Sequence, residues 1–281
     1  MTPTDPFDLT IRGRPLLSGP PWIMGILNTT PDSFADAGRY RNLDAALRRA
    51  EEMLSEGADI IDVGGESTRP GAGRVDLDEE LGRVVPVIQA ITGRFDAAVS
   101  VDTSKPEVMM AAADAGAAMI NDVRSLTLGG AAEAARDTGL PVCIMHMQGD
   151  PETMQLNPSY DDPVAEIQAF FRARIAALAE IGISAERLVI DPGFGFGKTG
   201  EQNLQLLREL DNFQVFGRPI LVGLSRKSVL RRLTGRDVDE RIAGSIALAT
   251  LAVERGANIV RTHDVAETLD AARVVSAVMA G

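Results

Sequence analysis

The stretch GILNTTPDSF, residues 25–34, is an apolar strand that ends abruptly in polar groups. Asn28, Thr29 and Thr30 follow Leu27 directly, and Pro31 has no N–H to continue a ladder. The pattern recurs along the chain. Apolar runs lie at 22–28 (WIMGILN), 59–65 (DIIDVGG), 97–103 (AAVSVDT), 119–123 (MINDV), 141–147 (PVCIMHM), 187–193 (RLVIDPG), 219–225 (PILVGLS) and 258–264 (NIVRTHD). Their hydrophobicity is continuous rather than alternating, as a parallel strand covered on both faces requires.

The segments between them carry helical periodicity. NLDAALRRAEEMLSEG (42–57) closes on glycine, a common helix stop. SKPEVMMAAADAG (104–116) opens with a capping box of Ser104 and Glu107, with Pro106 in the first turn. DDPVAEIQAFFRARIAALAEIG (161–182) and DVAETLDAARVVSAVMA (264–280) are the clearest of the rest. Eight strand–helix units predict a single (β/α)8 TIM barrel spanning residues 1–281. An open doubly wound sheet is the alternative. The barrel is preferred because the count is eight and no linker or composition shift divides the chain. FDLTIRGRPLL (7–17) reads as a short N-terminal hairpin around Arg12-Gly13, closing the barrel's bottom.

Composition excludes several classes. Apolar residues make up 45% of 281, enough for a large core. The net charge of −12 disfavours nucleic acid or an anionic membrane surface as partner. Any anionic ligand must therefore meet a local cluster of cations. The single cysteine, Cys143, rules out an internal disulfide and a thiolate metal site, and it sits in an apolar run as an inert core thiol. No run reaches 18 apolar residues, and the polar N-terminal segment argues against a signal peptide. These readings together predict a cytoplasmic protein.

In a barrel, chemistry gathers at the C-terminal strand ends. Here those ends offer Asn28, Glu66-Ser67-Thr68-Arg69, Asp102, Asn121-Asp122, His146, Asp191, Ser225-Arg226-Lys227, and Arg261 with His263. Helix capping accounts for any one of them, but less readily for a polar group at every strand end. The set sorts by charge. Asp102, Asn121 and Asp191 suit the N–H groups of a flat heterocycle, with Lys227 as counter-ion. Arg261, His263 and Asn28 come from strands that become neighbours on closure and would form a cationic corner suited to phosphate. DPGFGFGKTG (191–200) misses a P-loop by one residue and lacks the acid of a dinucleotide fingerprint. It reads instead as a turn bringing backbone and Phe196 close to a ring held at Asp191. GGESTRPGAGR (64–74) is either a solvated connector or a mobile active-site loop positioning Thr68 and Arg69. His146 is left open between ligand contact and packing. Asp122 and Asp32 are candidate caps, Asp32 being the better candidate for the site because its loop also carries Asn28.

GILNTTPDSFADAG, IDVGGESTRPGA, VSVDTSKPEV, INDVRSL, MHMQGDPETMQ, DPGFGFGKT, LVGLSRKS and RTHDV together resemble dihydropteroate synthase, in order and from Met24 onward. The resemblance implies a (β/α)8 barrel of folate biosynthesis, a sulfonamide target that uses Mg2+ and is usually a homodimer. Its reaction joins 6-hydroxymethyl-7,8-dihydropterin pyrophosphate to 4-aminobenzoate, releasing pyrophosphate. It implies a pterin pocket of Asp102, Asn121, Asp191 and Lys227, with Val123, Met145, Phe196 and Gly223 nearby. Asn28 matches the position associated with Mg2+ and the diphosphate, and Arg261 and His263 match the diphosphate anchors. Thr68, Arg69 and Pro70 match the loop over the aminobenzoate, and Ser228 a position near its carboxylate. Asn28, Asp102, Lys227 and Arg261 are the expected catalytic set. NTT stands where many members have NVT, and SFADAG where many have SFSDGG. A corrinoid-system methyltransferase domain shares the Asp/Asn pocket but needs neither SRKS nor the cationic corner. A non-catalytic folate-binding paralogue would not need both loops intact.

Overall fold

All eight apolar runs form strands. A computed structural model describes residues 7, 9–16, 19–29, 39–67, 73–150 and 153–280, with 39–42 in backbone only. After β1 (Thr10–Ile11) and β2 (Arg14–Pro15) come β3 (Trp22–Asn28), β4 (Ile60–Gly64), β5 (Ala98–Asp102), β6 (Met119–Asp122), β7 (Val142–Met145), β8 (Leu188–Asp191), β9 (Leu221–Val222) and β10 (Ile259–Thr262). β3 to β8 pair in parallel in chain order, and β10 pairs with both β3 and β9. One parallel bridge, Ile190 to Ile220, brings the two edges together, so the sheet is a nearly closed barrel.

Nine helices cover it among the described residues: α1 (Arg39–Glu56), α2 (Leu77–Arg94), α3 (Pro106–Asp114), α4 (Ala131–Thr138), α5 (Pro163–Ile181), α6 (Gly200–Arg208), α7 (Ser228–Thr234), α8 (Ile242–Glu254) and α9 (Val265–Ala280). β9 is followed by two helices where the sequence pattern indicated one. The capping box expected of Ser104 does not form. Lys105 occupies the cap position without a side-chain cap bond, and the Ser104 hydroxyl binds the Asp122 carboxylate instead. A buried carboxylate is the stronger acceptor for that hydroxyl. α5 shows the ordinary device: Asp162 accepts from the N–H groups of Val164 and Ala165 at 3.0 and 3.2 Å, with Pro163 next in line. No helix among the described residues is long and apolar enough to cross a membrane.

The pleat of the strands sorts their side chains into two cores. One set, including Ile23, Ile61, Val99, Ile120, Ile144, Ile190 and Val260, packs outward against the helices. The other, Met24, Ile60, Ala98, Met119, Cys143, Val189, Leu221 and Ile259, packs inward with Trp22 and with Leu9, Ile11 and Leu16 of the N-terminal segment. β1 and β2 pair antiparallel through Arg12 and Gly13, both at positive φ (50° and 71°), the geometry of a two-residue type I′ turn. The hairpin therefore plugs the barrel's lower end, as expected. Two residues further along each strand the pleat points inward again, now toward the mouth. Those positions are Asp62, Ser100, Asn121, Met145, Asp191, Gly223 and Arg261, with Asp102 one step higher on β5 and Asn28 on β3.

Candidate active site

The mouth is organised around Arg261. Its Nε donates to Asp62 Oδ2 at 2.6 Å and its Nη2 to Asp102 Oδ2 at 2.8 Å. Asn121 Nδ2 donates to the same Asp62 oxygen at 3.2 Å. Asp62 is fully buried, and its other oxygen, Oδ1, has no protein partner. Ser100, its register partner on β5, likewise has a buried hydroxyl without one. Burial pushes the Asp102 carboxyl well up, to about 7; Arg261 opposes this, and Asp62, Asp122 and Glu80 add to it. Burial works against the Arg261 charge, yet Asp62 and Asp102 raise its pKa further, so the guanidinium stays charged.

This arrangement adds to the expected charge sorting. Arg261, expected in the cationic corner, is also the counter-ion of the acids on β4 and β5. The reason is Asp62, which the sequence reading missed. It lies two residues inside an apolar run rather than at the strand end. The signal was available: a lone carboxylate inside a continuous apolar strand needs a buried cation.

The second half of the pocket lies across β8 and β9. Asp191 is buried, and its Oδ1 accepts the Gly193 N–H at 2.7 Å. Burial raises its pKa, while the Gly193 N–H, Lys227, Lys198 and Arg261 pull it down. Lys227 precedes α7, and its ammonium lies 4.4 Å from the Phe196 ring centroid, a cation–π contact. Burial brings Lys227 down to about 8, against the pull of Asp191. Met145 pairs in register with Asp191, and a Cβ at Gly223 would meet nothing within 4 Å, leaving room at the mouth. The turn after β8 needs its glycines: at Gly193 (φ +76°) a Cβ would sit 1.9 Å from the His146 carbonyl oxygen. His146 itself is packed, with its ring edge-on to Phe170 at 5.0 Å.

His263 stands two residues beyond Arg261. Its Nδ1 lies 2.9 Å from Ser225 Oγ, which also accepts its backbone N–H at 3.3 Å. Arg226, at a strained φ of 58°, donates to both oxygens of Asp264 and ties the loops after β9 and β10 together. Lys227 and His263 thus reach the same rim, and Asn28 ends β3 beside them, since β3 is the neighbour of β10.

A cavity of about 300 Å3 opens between the tops of β4, β5 and β6, lined by Asp102, Val123, Glu66, Ser67, Lys105 and Arg124, among others. Thr68, Arg69, Pro70 and Asp32 lie outside the described residues. The base of the 67–74 loop is described. Glu66 Oε2 accepts the Val75 N–H at 3.2 Å and the Lys105 ammonium at 2.7 Å, and Lys105 also pairs with buried Glu80. Glu66 thereby holds both ends of that loop. Asp122 acts as a structural cap: it accepts the N–H groups of Arg124 and Leu126 at 2.9 and 2.6 Å. Ser228 opens α7 and lines a smaller recess with Lys227 and Gly195.

The mouth therefore brings together Asp102, Asn121, Asp191, Lys227, Arg261 and His263, residues that arrive from five strands. Comparison with known proteins gives the family. The pattern of the pterin binding enzyme family matches residues 24–263. The chain is 52% identical to the dihydropteroate synthase of Escherichia coli K12 over 271 residues, 96% of each chain. It superposes on a Yersinia pestis dihydropteroate synthase in complex with a sulfonamide drug with a TM-score of 0.92, at 52% identity over 97% of this chain and 99% of that one. A Xanthomonas albilineans dihydropteroate synthase holding 4-aminobenzoic acid aligns with a TM-score of 0.90, at 50% identity over 96% and 97% of the two chains. The chain belongs to the pterin binding enzyme family, among its dihydropteroate synthases.

Proposed function

We propose that this chain condenses 6-hydroxymethyl-7,8-dihydropterin pyrophosphate with 4-aminobenzoate at the barrel mouth, giving 7,8-dihydropteroate and pyrophosphate, with the residues above in the following roles. The observation that carries the assignment of roles is the Arg261 bridge between Asp62 and Asp102, with Asp191 and Lys227 near enough to feel its charge. Asp102, Asn121 and Asp191 stand at the mouth ends of β5, β6 and β8 and offer acceptors and an amide, matching the N–H and carbonyl edge of a pterin. Val123, Met145, Gly223 and the Phe196 ring form its apolar walls.

The reaction is a displacement at the CH2 attached to the ring. The C–O bond breaks first, its electron pair leaving on the diphosphate, and the ring delocalises the positive charge left behind. The Asp102 and Asp191 carboxylates stabilise that charge. The arylamine lone pair then forms the C–N bond, and the surplus proton on nitrogen passes to solvent or diphosphate. An anilinium is acidic enough that no strong base is needed. Arg261, His263 and Asn28 hold the diphosphate on the β10–β3 side, Lys227 stays with the ring beside Asp191, and Thr68, Arg69, Pro70 and Ser228 meet the aminobenzoate.

Mg2+ takes oxygen ligands and keeps waters, completing its shell from substrate phosphates. Among the described residues no three acids or histidines gather as a metal site. One amide oxygen, that of Asn28 at the β3 rim, is a donor set that fits a magnesium diphosphate. When bound, the ion neutralises leaving-group charge.

The direct test is aminobenzoate-dependent release of pyrophosphate, with and without Mg2+. Its residue-level counterpart is His263→Ala. This change is expected to raise KM for the pyrophosphate ester about tenfold, the weight of one charge-assisted contact, while leaving the affinity for free pterin within twofold. Equal losses of both would move His263 out of the diphosphate site. We extend the reading to a homodimer. Val274 and Val278, four residues apart on one face of α9, are 64% and 76% exposed, and Leu251 on the adjacent α8 is exposed as well. Sedimentation is expected to give twice the chain mass, and Val278→Lys to give the monomer.

A further inference from the structure

The lysine of the near-P-loop does not point at a phosphate site. Lys198 is only 2% exposed. Its ammonium lies 2.9 Å from the Gly193 carbonyl oxygen, 3.0 Å from that of Phe196, 3.2 Å from that of His146, and 3.1 Å from His146 Nδ1. Three N–H groups meet four acceptors, so the cage is saturated. Burial, and Lys198 itself, hold the His146 imidazole down at about 3, so it is neutral and turns a lone pair to the ammonium.

The cage sits directly behind the pocket wall. Asp191, Gly193 and Phe196 belong to the same turn as Lys198, and Asp191 Oδ1 is already bound to the Gly193 N–H. Tyr160 Oη holds that turn separately, donating to the Gly197 carbonyl at 2.9 Å. The charged groups that act on Asp191 are Lys227 and Arg261 from the mouth and Lys198 from behind. Burial brings Lys198 down to about 7, with Asp191 opposing and Lys227 adding to the fall, so the ammonium is present below neutral pH. The Cys143 thiol beneath is kept neutral by burial.

We propose that Lys198 is a positioning residue of the pterin pocket: its buried ammonium fastens the 193–197 turn to the end of β7 and keeps Asp191 ionised toward the ring. The proposal rests on Asp191 being a ring contact. Without Lys198 the carboxylate loses one of its three cations, and protonation becomes easier. A protonated Asp191 cannot accept from two pterin N–H groups. Phe196, hung on the same cage, would also lose its place over Lys227.

The test follows Asp191 itself. In protein labelled with 13C-aspartate, its Cγ resonance is assigned by loss in Asp191→Asn and titrated without ligand. In Lys198→Met the midpoint is expected to rise by about one pH unit or more. Free 6-hydroxymethyl-7,8-dihydropterin is expected to bind at least tenfold more weakly at pH 6, where wild-type Lys198 is charged, with KM for aminobenzoate within twofold. Lys198→Gln keeps N–H donors without the charge. It is expected to show the same shift with a melting temperature nearer wild type, and it stands in should the Met variant not fold. Tyr160→Phe loosens the turn without removing charge and is expected to leave the midpoint unmoved. An unshifted Asp191 midpoint in a folded Lys198 variant overturns the proposal. If Asp191→Asn leaves pterin affinity intact, the failure lies instead in the assignment of Asp191.

Discussion

Arg261→Met is expected to lower kcat/KM about a thousandfold or more and to unfold the protein at a markedly lower temperature. Asp62 has no exposed surface and would lose a 2.6 Å charge-assisted bond, while Asp102 would lose one at 2.8 Å. Removing one partner of a buried pair costs about 3–5 kcal/mol, because the carboxylates stay buried without compensation. The sign of the pH effect follows. Without the cation the Asp102 carboxyl takes up its proton more readily, and a neutral acid is cheap to bury. The deficit relative to wild type should therefore be larger at pH 9 than at pH 5.5. Thermal melts at the two pH values measure it directly, and Asp62→Asn added to Arg261→Met should restore part of the loss at pH 9. Equal melting of variant and wild type at pH 9 would remove Arg261 from the centre of the site. Free pterin should bind more weakly to this variant, in contrast to His263→Ala.

Asp102→Asn separates catalysis from stability. Loss of one preorganised charge beside a developing cation costs about a hundredfold to a thousandfold in rate, so kcat with saturating pterin pyrophosphate should fall by that order. The folded protein raises the Asp102 pKa from 3.8 to about 7. An acid whose pKa rises on folding contributes its full stability only below its unfolded value, and loses it as pH climbs through the folded one. Wild type therefore carries a buried, costly carboxylate above pH 7 that the amide lacks. The variant should melt no lower than wild type at pH 8 while being nearly inactive there. The acid limb of the wild-type kcat profile assigned to this group should disappear with it. Near wild-type kcat in a folded Asp102→Asn would end the electrostatic role.

The sequence carried the frame further than the wiring. WIMGILN became β3 with the same limits, because continuous apolar residues have no stable alternative to a doubly covered strand. PILVGLS shrank to Leu221–Val222, since Pro219 has no N–H to give and Gly223 weakens strand pairing. Rim residues could be picked from strand ends, but their partners could not. Arg261 and Asp62 are 199 positions apart, and only barrel closure makes them neighbours. Lys198 was hidden for a different reason. Its loop was read through glycine spacing, which says where backbone must bend and nothing about where a side chain is buried.

The thin join between β8 and β9 has one further consequence. A single bridge and a two-residue strand make it the weakest seam of the ring. Asp191 stands on one side of that seam and Lys227 on the other. A ligand gripping both works as a clasp, so occupancy and ring closure share one free energy: what tightens the hoop tightens the hold on the guest, and a looser hoop holds it less.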